Sequence, residues 1–301
     1  MHRALSLTLL AAAWAPACAP ATLEMKLRAR IEAAPASAWV AVAYQDLRTG
    51  AEVAIRARER VHAASTMKLP VMMEVYRRAA AGQLNLDTPV RVENRFRSIV
   101  DGSEFALDPA DDADPWPYTQ LGREVPLRTL TERMIVRSSN LATNLIIELV
   151  GANAVTRLCR QLSAPDIEVL RGVEDAKAHA AGRDNTTTAH DLAVLLRALA
   201  ERSGVAGADE MLDVLARQEL NEGIPAGLPP GSRVAHKTGS FGGPGGVYHD
   251  AALVRPGGAD PGYVLVVLTR GVGDEKAGAR LVADLSTLVW QNRLRTAARA
   301  R

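Results

Sequence analysis

The run His62-Ala63-Ala64-Ser65-Thr66-Met67-Lys68 sets a hydroxyl and an amine three residues apart, where the hydrophobic spacing changes to that of a helix. At i, i+3 the two side chains share one helical face. An alcohol is a weak nucleophile at neutral pH, and an adjacent amine that can give up its proton is one of the groups able to activate it. The start of a helix adds backbone N–H groups and a positive dipole end, both of which stabilise an oxyanion. Only five of the 36 basic residues are lysine: Lys26, Lys68, Lys177, Lys237 and Lys276. A guanidinium stays charged, whereas burial or a neighbouring cation can drive an ammonium to neutrality. A lysine kept in an arginine-rich chain can therefore mark a position that uses this property. Taken alone the pair is weak. Twelve serines and five lysines in 301 residues give such a spacing by chance in about one chain in five, and an N-cap serine beside a solvated lysine explains it as well.

Two further triplets change the weight. Ser138-Ser139-Asn140 stands at a junction between helical patterns, and Lys237-Thr238-Gly239 stands on a short β-branched run just before a Gly-rich turn. The elements that must bring them together are legible in outline. An amphipathic helix is expected over 23–33, a hairpin over 38–45 and 53–56, and a helix from Ser65 to near Gly82. Residues 93–125, rich in Asp and Pro, read as a long irregular segment. Helical patterns follow over 127–137, 141–150, 152–162, 188–201 and 208–218. The chain then returns to strands at 233–238, 247–255 and 263–269 and closes on a helix over 276–293. Strands at both ends with helices between them predict an α/β (α+β) fold: an antiparallel sheet built from both chain ends, flanked by helices, with an inserted all-helical lobe. The expected division is 22–62 with 212–301 for the sheet lobe and 63–211 for the helical lobe, with a cleft between them.

The order and separations of Ser65/Lys68, Ser138/Asn140 and Lys237/Thr238/Gly239 resemble those of class A β-lactamases, within the superfamily of penicillin-recognising serine enzymes. The resemblance spans nearly the whole chain beyond the first two dozen residues, and Asn185-Thr186-Thr187-Thr188 resembles the end of that family's Ω-shaped active-site loop. It implies that Ser65 is the acylated nucleophile and Lys68 its proton acceptor or part of the base network. Ser138 would pass a proton to the departing nitrogen, and Asn140 would hold the substrate amide side chain and Lys68. Lys237 would keep Lys68 neutral by repulsion and attract the substrate carboxylate, which Thr238 would also bind. Gly239 completes that strand motif. The backbone N–H groups of Ser65 and Ser240 would form the oxyanion hole, with the Ser240 side chain also near substrate.

The departures from the family pattern are as informative as the matches. Ser139 stands where the family has an acid, which removes a structural carboxylate. The loop before Asn185 lacks the Glu-x-x-x-Asn pattern that positions the deacylating water. Glu174 is the remaining candidate base, though an ion pair with Lys177 or Arg171 accounts for it equally well. Asn185 occupies the position of an Asp that would bridge the neck of the loop. The readings that follow are a β-lactam hydrolase working through an acyl-enzyme, a D-Ala-D-Ala peptidase or penicillin-binding hydrolase with slow deacylation, or a non-catalytic binding protein.

Composition narrows the remaining classes. The 36 basic and 34 acidic residues leave a net charge of +2, and aromatics make up 4% of the chain, which suits neither the basic stripe nor the stacking platform of a nucleic-acid binder. The expected partner is a small β-lactam or a peptidoglycan-like peptide, met by a monomer. The six histidines show no metal-ligand spacing; His236 on one strand and His249-Asp250 on the next are expected to make cross-strand contacts rather than bind zinc. His179 and His190 receive no role. Neither metal nor organic cofactor is expected. Cys159 lies in a helical pattern and reads as a small buried apolar residue. His2 and Arg3, the apolar stretch 4–14 and Ala15-Pro16-Ala17 read as an export signal over 1–17, leaving a periplasmic or secreted protein that begins near Cys18, or one tethered by a lipid on Cys18.

Overall fold

The computed structural model describes residues 21–243 and 245–299. The expected export signal and Cys18 lie outside the described residues.

The strand Tyr263–Arg270 reads Tyr-Val-Leu-Val-Val-Leu-Thr-Arg, apolar almost throughout instead of alternating. Such a strand needs cover on both faces, and the packing supplies it. Val264, Val266 and Leu268 enter one hydrophobic cluster, while Tyr263, Leu265 and Val267 enter a second on the opposite face. The strand is central in a five-stranded antiparallel sheet of β1 (Trp39–Asp46), β2 (Glu52–Ile55), β3 (Arg233–Phe241), β4 (Val247–Arg255) and β5 (Tyr263–Arg270), ordered β2-β1-β5-β4-β3. The pairing of β1 with β5, Trp39 opposite Arg270, joins the two chain ends as expected.

The outer face of the sheet is covered by α1 (Leu23–Glu32) and α9 (Glu275–Arg299), through Leu23, Leu27, Leu281, Val282 and Leu285. The remaining helices form the other layer: α2 (Lys68–Ala80), α3 (Leu127–Val136), α4 (Asn140–Val150), α5 (Ala152–Gln161), α6 (Ala176–Ala180), α7 (Ala189–Glu201) and α8 (Ala208–Ala216). Helix α7 lies across β1, β4 and β5, and α2 packs against α3, α4 and α5. Lys68 to Tyr76 are buried without interruption, the pattern of a helix enclosed by others rather than one with a wet face. Pro70 is tolerated there because the first turn of a helix has no partner for its missing N–H.

The segment 93–125 contains no helix of more than one or two turns of 3₁₀ character, as its composition predicts. It is pinned by two short ladders, Pro89–Arg91 with Glu124–Pro126 and Phe96–Arg97 with Glu104–Phe105. Helix α6 has no counterpart among the expected elements: at five residues it is too short to show a period, and its N-cap Asp175 is the local signal for it. Strand β3 runs on to Phe241 and α9 to Arg299, further than the apolar patterns reach. Among the described residues no helix is long and apolar enough to cross a membrane.

Candidate active site

The chain enters the site through Val61 and His62, which pair with Thr187 and Thr186. Ala64 then takes a left-handed backbone (φ 44°), a conformation that costs a non-glycine residue about 1 kcal/mol or more and clusters at functional sites. A single 3₁₀ turn, Ala64–Met67, carries Ser65, and Lys68 opens α2. Ser65 is half-buried and lines a cavity of about 290 Å³ together with Asn140, Glu174 and Ser240. Strand β3 presses on this turn. A β-carbon built on Gly239 would lie 2.8 Å from the Ser65 nitrogen and 2.9 Å from that of Thr66, so only glycine fits without moving the backbone that carries the nucleophile candidate.

Lys68 is fully buried, and its ammonium nitrogen donates to the Ser138 carbonyl at 2.7 Å, to Asn140 Oδ1 at 2.7 Å and to Ser138 Oγ at 3.2 Å. These bonds go to the Ser138–Asn140 turn rather than to the Ser65 hydroxyl expected from the i, i+3 spacing. Lys237, also fully buried, reaches the same Ser138 Oγ at 3.0 Å from the strand side, and its own neighbour's carbonyl, that of Thr238, at 2.9 Å. One hydroxyl thus stands between two amines. Burial pushes the Lys68 ammonium down to about 7, although Asp112 and Glu174 pull the other way. Burial also holds Lys237 well below the usual range, and the charge of Lys68 lowers it further. The resemblance implies repulsion from Lys237 as the reason for a neutral Lys68; exclusion of water is the cause that lowers it here.

Asn140 connects this pair to Glu174. Its Oδ1 accepts the hydrogen bond from Lys68, and its Nδ2 donates to Glu174 Oε1 at 2.6 Å. Glu174 therefore faces the cavity, and neither ion pair considered for it is formed. Lys177 goes to Asp101 at 2.7 Å and Arg171 to Asp184 at 2.7 Å. Burial raises the Glu174 carboxyl above its ordinary value, against the lowering effect of the Asn140 hydrogen bond, while Asp112 and Asp111 add to the rise. Its backbone is left-handed (φ 62°), held by Asn144, whose side chain bridges the Val173 backbone with bonds of 2.6 and 3.0 Å. Asn140 and Asn144 lie one turn apart on the same face of α4, a spacing visible in the sequence.

Two features judged missing from the sequence are supplied from elsewhere. Asp112, on the irregular segment, accepts the N–H groups of Asn140 and Leu141 at 2.9 Å each and the Tyr118 hydroxyl at 3.1 Å. It furnishes the carboxylate that Ser139 cannot, at the N-terminus of α4, where negative charge is favoured. Ser139 itself caps the helix through Ala142 N–H. The neck of the Glu174 loop is closed by Arg171 with Asp184, one residue before the position where the acid is expected, and Asn185 Oδ1 takes the backbone N–H groups of Leu170 and Arg171.

The remaining residues fall as follows. Alternation along β3 puts Lys237 and Gly239 on the face that meets the Ser138 hydroxyl and the Ser65 turn. Thr238 is buried, and the Ser240 hydroxyl donates to Glu275 Oε1 at 2.6 Å, so that side chain is engaged by the start of α9. His236 meets Asp250 at 2.9 Å across the β3–β4 pair. His249 donates to, or accepts nothing but, backbone partners: its Nε2 lies 2.9 Å from the His62 carbonyl and its Nδ1 takes Thr269 N–H. Cys159 is a buried free thiol whose pKa burial pushes up to about 12.

A five-stranded sheet flanked by helices, with one hydroxyl between two buried lysines and a carboxylate reached through Asn140, is the arrangement of a penicillin-recognising serine enzyme. The comparisons agree. A profile of the Beta-lactamase enzyme family matches residues 22–292, and the chain belongs to that family. A Beta-lactamase of Streptomyces fradiae is 30% identical over 259 residues, covering 81% of this chain and 78% of the relative. Among solved structures, an ancestral class A β-lactamase has a TM-score of 0.75 at 26% identity, over 90% of this chain and 99% of that one. PBP-A has a TM-score of 0.77 at 24% identity over 91% and 96%, a likeness of fold. The family makes the chain a hydrolase of the β-lactamase type.

Proposed function

We propose that the protein opens β-lactam rings through a covalent acyl-enzyme on Ser65. The single observation that carries this reading is the convergence of Lys68 and Lys237 on Ser138 Oγ beside the cavity that Ser65 lines. With Lys68 titrating near 7, a neutral amine is present at physiological pH to receive the Ser65 proton as its oxygen attacks the lactam carbonyl. The negative charge then forming on the lactam carbonyl oxygen is met by the N–H groups of Ser65 and Ser240, which the close approach of Gly239 brings together. The lactam C–N bond breaks as Ser138 gives its proton to the nitrogen, and the lysines restore that proton. Lys237 and Thr238 mark the side of the cleft that receives the substrate carboxylate. Glu174 takes a proton from water as the water oxygen attacks the ester, and that proton passes to the Ser65 oxygen as the acyl C–O bond breaks. A carboxyl raised by burial suits that task at neutral pH. No metal or organic cofactor takes part in these steps. The protein would act as an exported monomer, with residues 63–211 as the helical lobe.

Following a chromogenic cephalosporin tests the reading: sustained ring opening that Ser65→Ala abolishes supports it. Glu174→Gln should leave acylation in place and trap a mass increase of one penicillin. An adduct lasting hours in the unaltered protein would instead favour a D-Ala-D-Ala peptidase or penicillin-binding hydrolase with slow deacylation. Neither adduct nor hydrolysis would leave a non-catalytic binding protein.

A further inference from the structure

His62 and His179 line the Ser65 cavity with Asp184 beside them, and none of the steps above uses these three residues. Asp184 Oδ1 lies 3.7 Å from His62 Nε2, 3.0 Å from His179 Nδ1 and 2.7 Å from the Arg171 guanidinium. Ligand-type atoms of the three residues fall within 4.8 Å of one another, the composition of a metal site. The other nitrogen of His62 argues against that use. His62 Nδ1 accepts the Ala64 N–H at 3.0 Å, so in the neutral ring the proton sits on Nε2, the atom a metal would need bare. Ala64 is the left-handed residue directly before Ser65. The His62 backbone is fixed from three sides: it pairs with Thr186, its carbonyl faces His249 Nε2 at 2.9 Å, and Ala63 N–H donates to the Asn185 carbonyl at 2.8 Å. The ring therefore bridges the neck of the Glu174 loop and the turn that carries Ser65.

We propose that His62 is a positioning residue for acyl transfer: its neutral Nδ1 holds the Ala64–Ser65 turn, and protonation of the ring releases it. A doubly protonated imidazole has no acceptor left and presents a hydrogen to the Ala64 N–H. The groups facing the ring are Asp184, which favours the charged form, and Arg171 and His179, which oppose it; burial opposes it most, and the ring is held below its ordinary range. His249, buried and pushed down to about 4, adds no charge near neutrality. The turn is thus held at neutral pH and released on the acid side. The proposal rests on Ser65 as the acylated residue.

The test compares single-turnover acylation by a chromogenic cephalosporin, from pH 5 to 8, in the unaltered protein, His62→Asn and His62→Ala. Single turnover removes the deacylation step and with it the water activation by Glu174. The Asn side chain offers an oxygen near the position of Nδ1 and does not titrate. His62→Ala should acylate about five- to tenfold more slowly at pH 7.5, the worth of one hydrogen bond, with initial binding little changed. His62→Asn should stay within about threefold and lose the part of the acid limb that the histidine contributes. In the unaltered protein the Ala64 amide resonance should shift along the same curve as the His62 ring. Equal impairment of the two variants, an acid limb unchanged in His62→Asn, or an Ala64 amide indifferent to the His62 titration would each overturn the proposal. If no form is acylated, the reading of Ser65 has failed, and the amide titration alone decides whether His62 holds the turn.

Discussion

Lys68→Met replaces a fully buried amine with an apolar side chain of similar length, and the consequence for stability can be worked from the site. The Lys68 ammonium titrates at about 7 in the folded protein against an ordinary 10.5. Its folded pKa is depressed, so between those values the unfolded chain holds more protons than the folded one, and stability rises with pH. The cost of the buried charge is fully present below about pH 7 and is relieved as pH climbs toward 10.5. Linkage with these two values gives Lys68 a share of about 2 kcal/mol in the stability difference between pH 7 and pH 9, which Lys68→Met should lose while keeping the share of Lys237. The methionine also deprives the Ser138 carbonyl and Asn140 Oδ1 of a donor, but that loss is the same at both pH values and cancels from the comparison. Removing the Lys68 charge relieves Lys237 as well, which acts in the same direction. Urea denaturation of both proteins at pH 7 and pH 9 provides the measurement. Parallel pH dependence in the two would refute a proton-shedding Lys68, and with it the amine base.

Asp112→Ala leaves the Asn140 and Leu141 N–H groups and the Tyr118 hydroxyl without their acceptor, so chemical denaturation should show a loss of about 2–4 kcal/mol, and Asp112→Asn about half of that. Because Asp112 supports the charged form of Lys68, the acid limb of kcat/KM should also move to lower pH in Asp112→Asn; an unmoved limb would show that the carboxylate does not reach the amine. Gly239→Ala puts a β-carbon 2.8 Å from the Ser65 nitrogen, and acylation measured by mass spectrometry or stopped flow should fall by about a hundredfold, with circular dichroism unchanged. Acylation within a fewfold of the parent would mean that the turn carries more slack than its packing indicates.

The sheet and most helices were legible because their apolar spacing is long and regular. β5 could be recognised as a strand, and α4 as a helix from Leu141 onward. The site was legible where its residues act in triplets: Ser65 with Lys68, Ser138 with Asn140, Lys237 with Gly239. It was not legible where a role is passed between distant segments. Nothing local in Asp112 announces that it serves α4, since its partners arrive through the folding of an irregular segment with no period to read. Asp184 is hidden for the opposite reason: the family pattern places the neck acid at position 185, while the guanidinium of Arg171 reaches one residue earlier. Glu174 had two plausible electrolyte partners in sequence, and only the courses of Lys177 to Asp101 and Arg171 to Asp184 leave it to Asn140.

The pairing of Trp39 with Arg270 has a consequence for the order of assembly. The first strand leaves the ribosome more than two hundred residues ahead of the neighbour that must lie beside it, so it waits through most of translation with one edge bare. The helices around α2 can gather during that interval from contacts nearby in the chain, whereas the strand bearing Lys237 joins only as synthesis ends. A nascent chain halted before β5 would thus own the serine and both lysines but lack the strand that ties the Lys237 edge to the first strand, and the chemistry would switch on last.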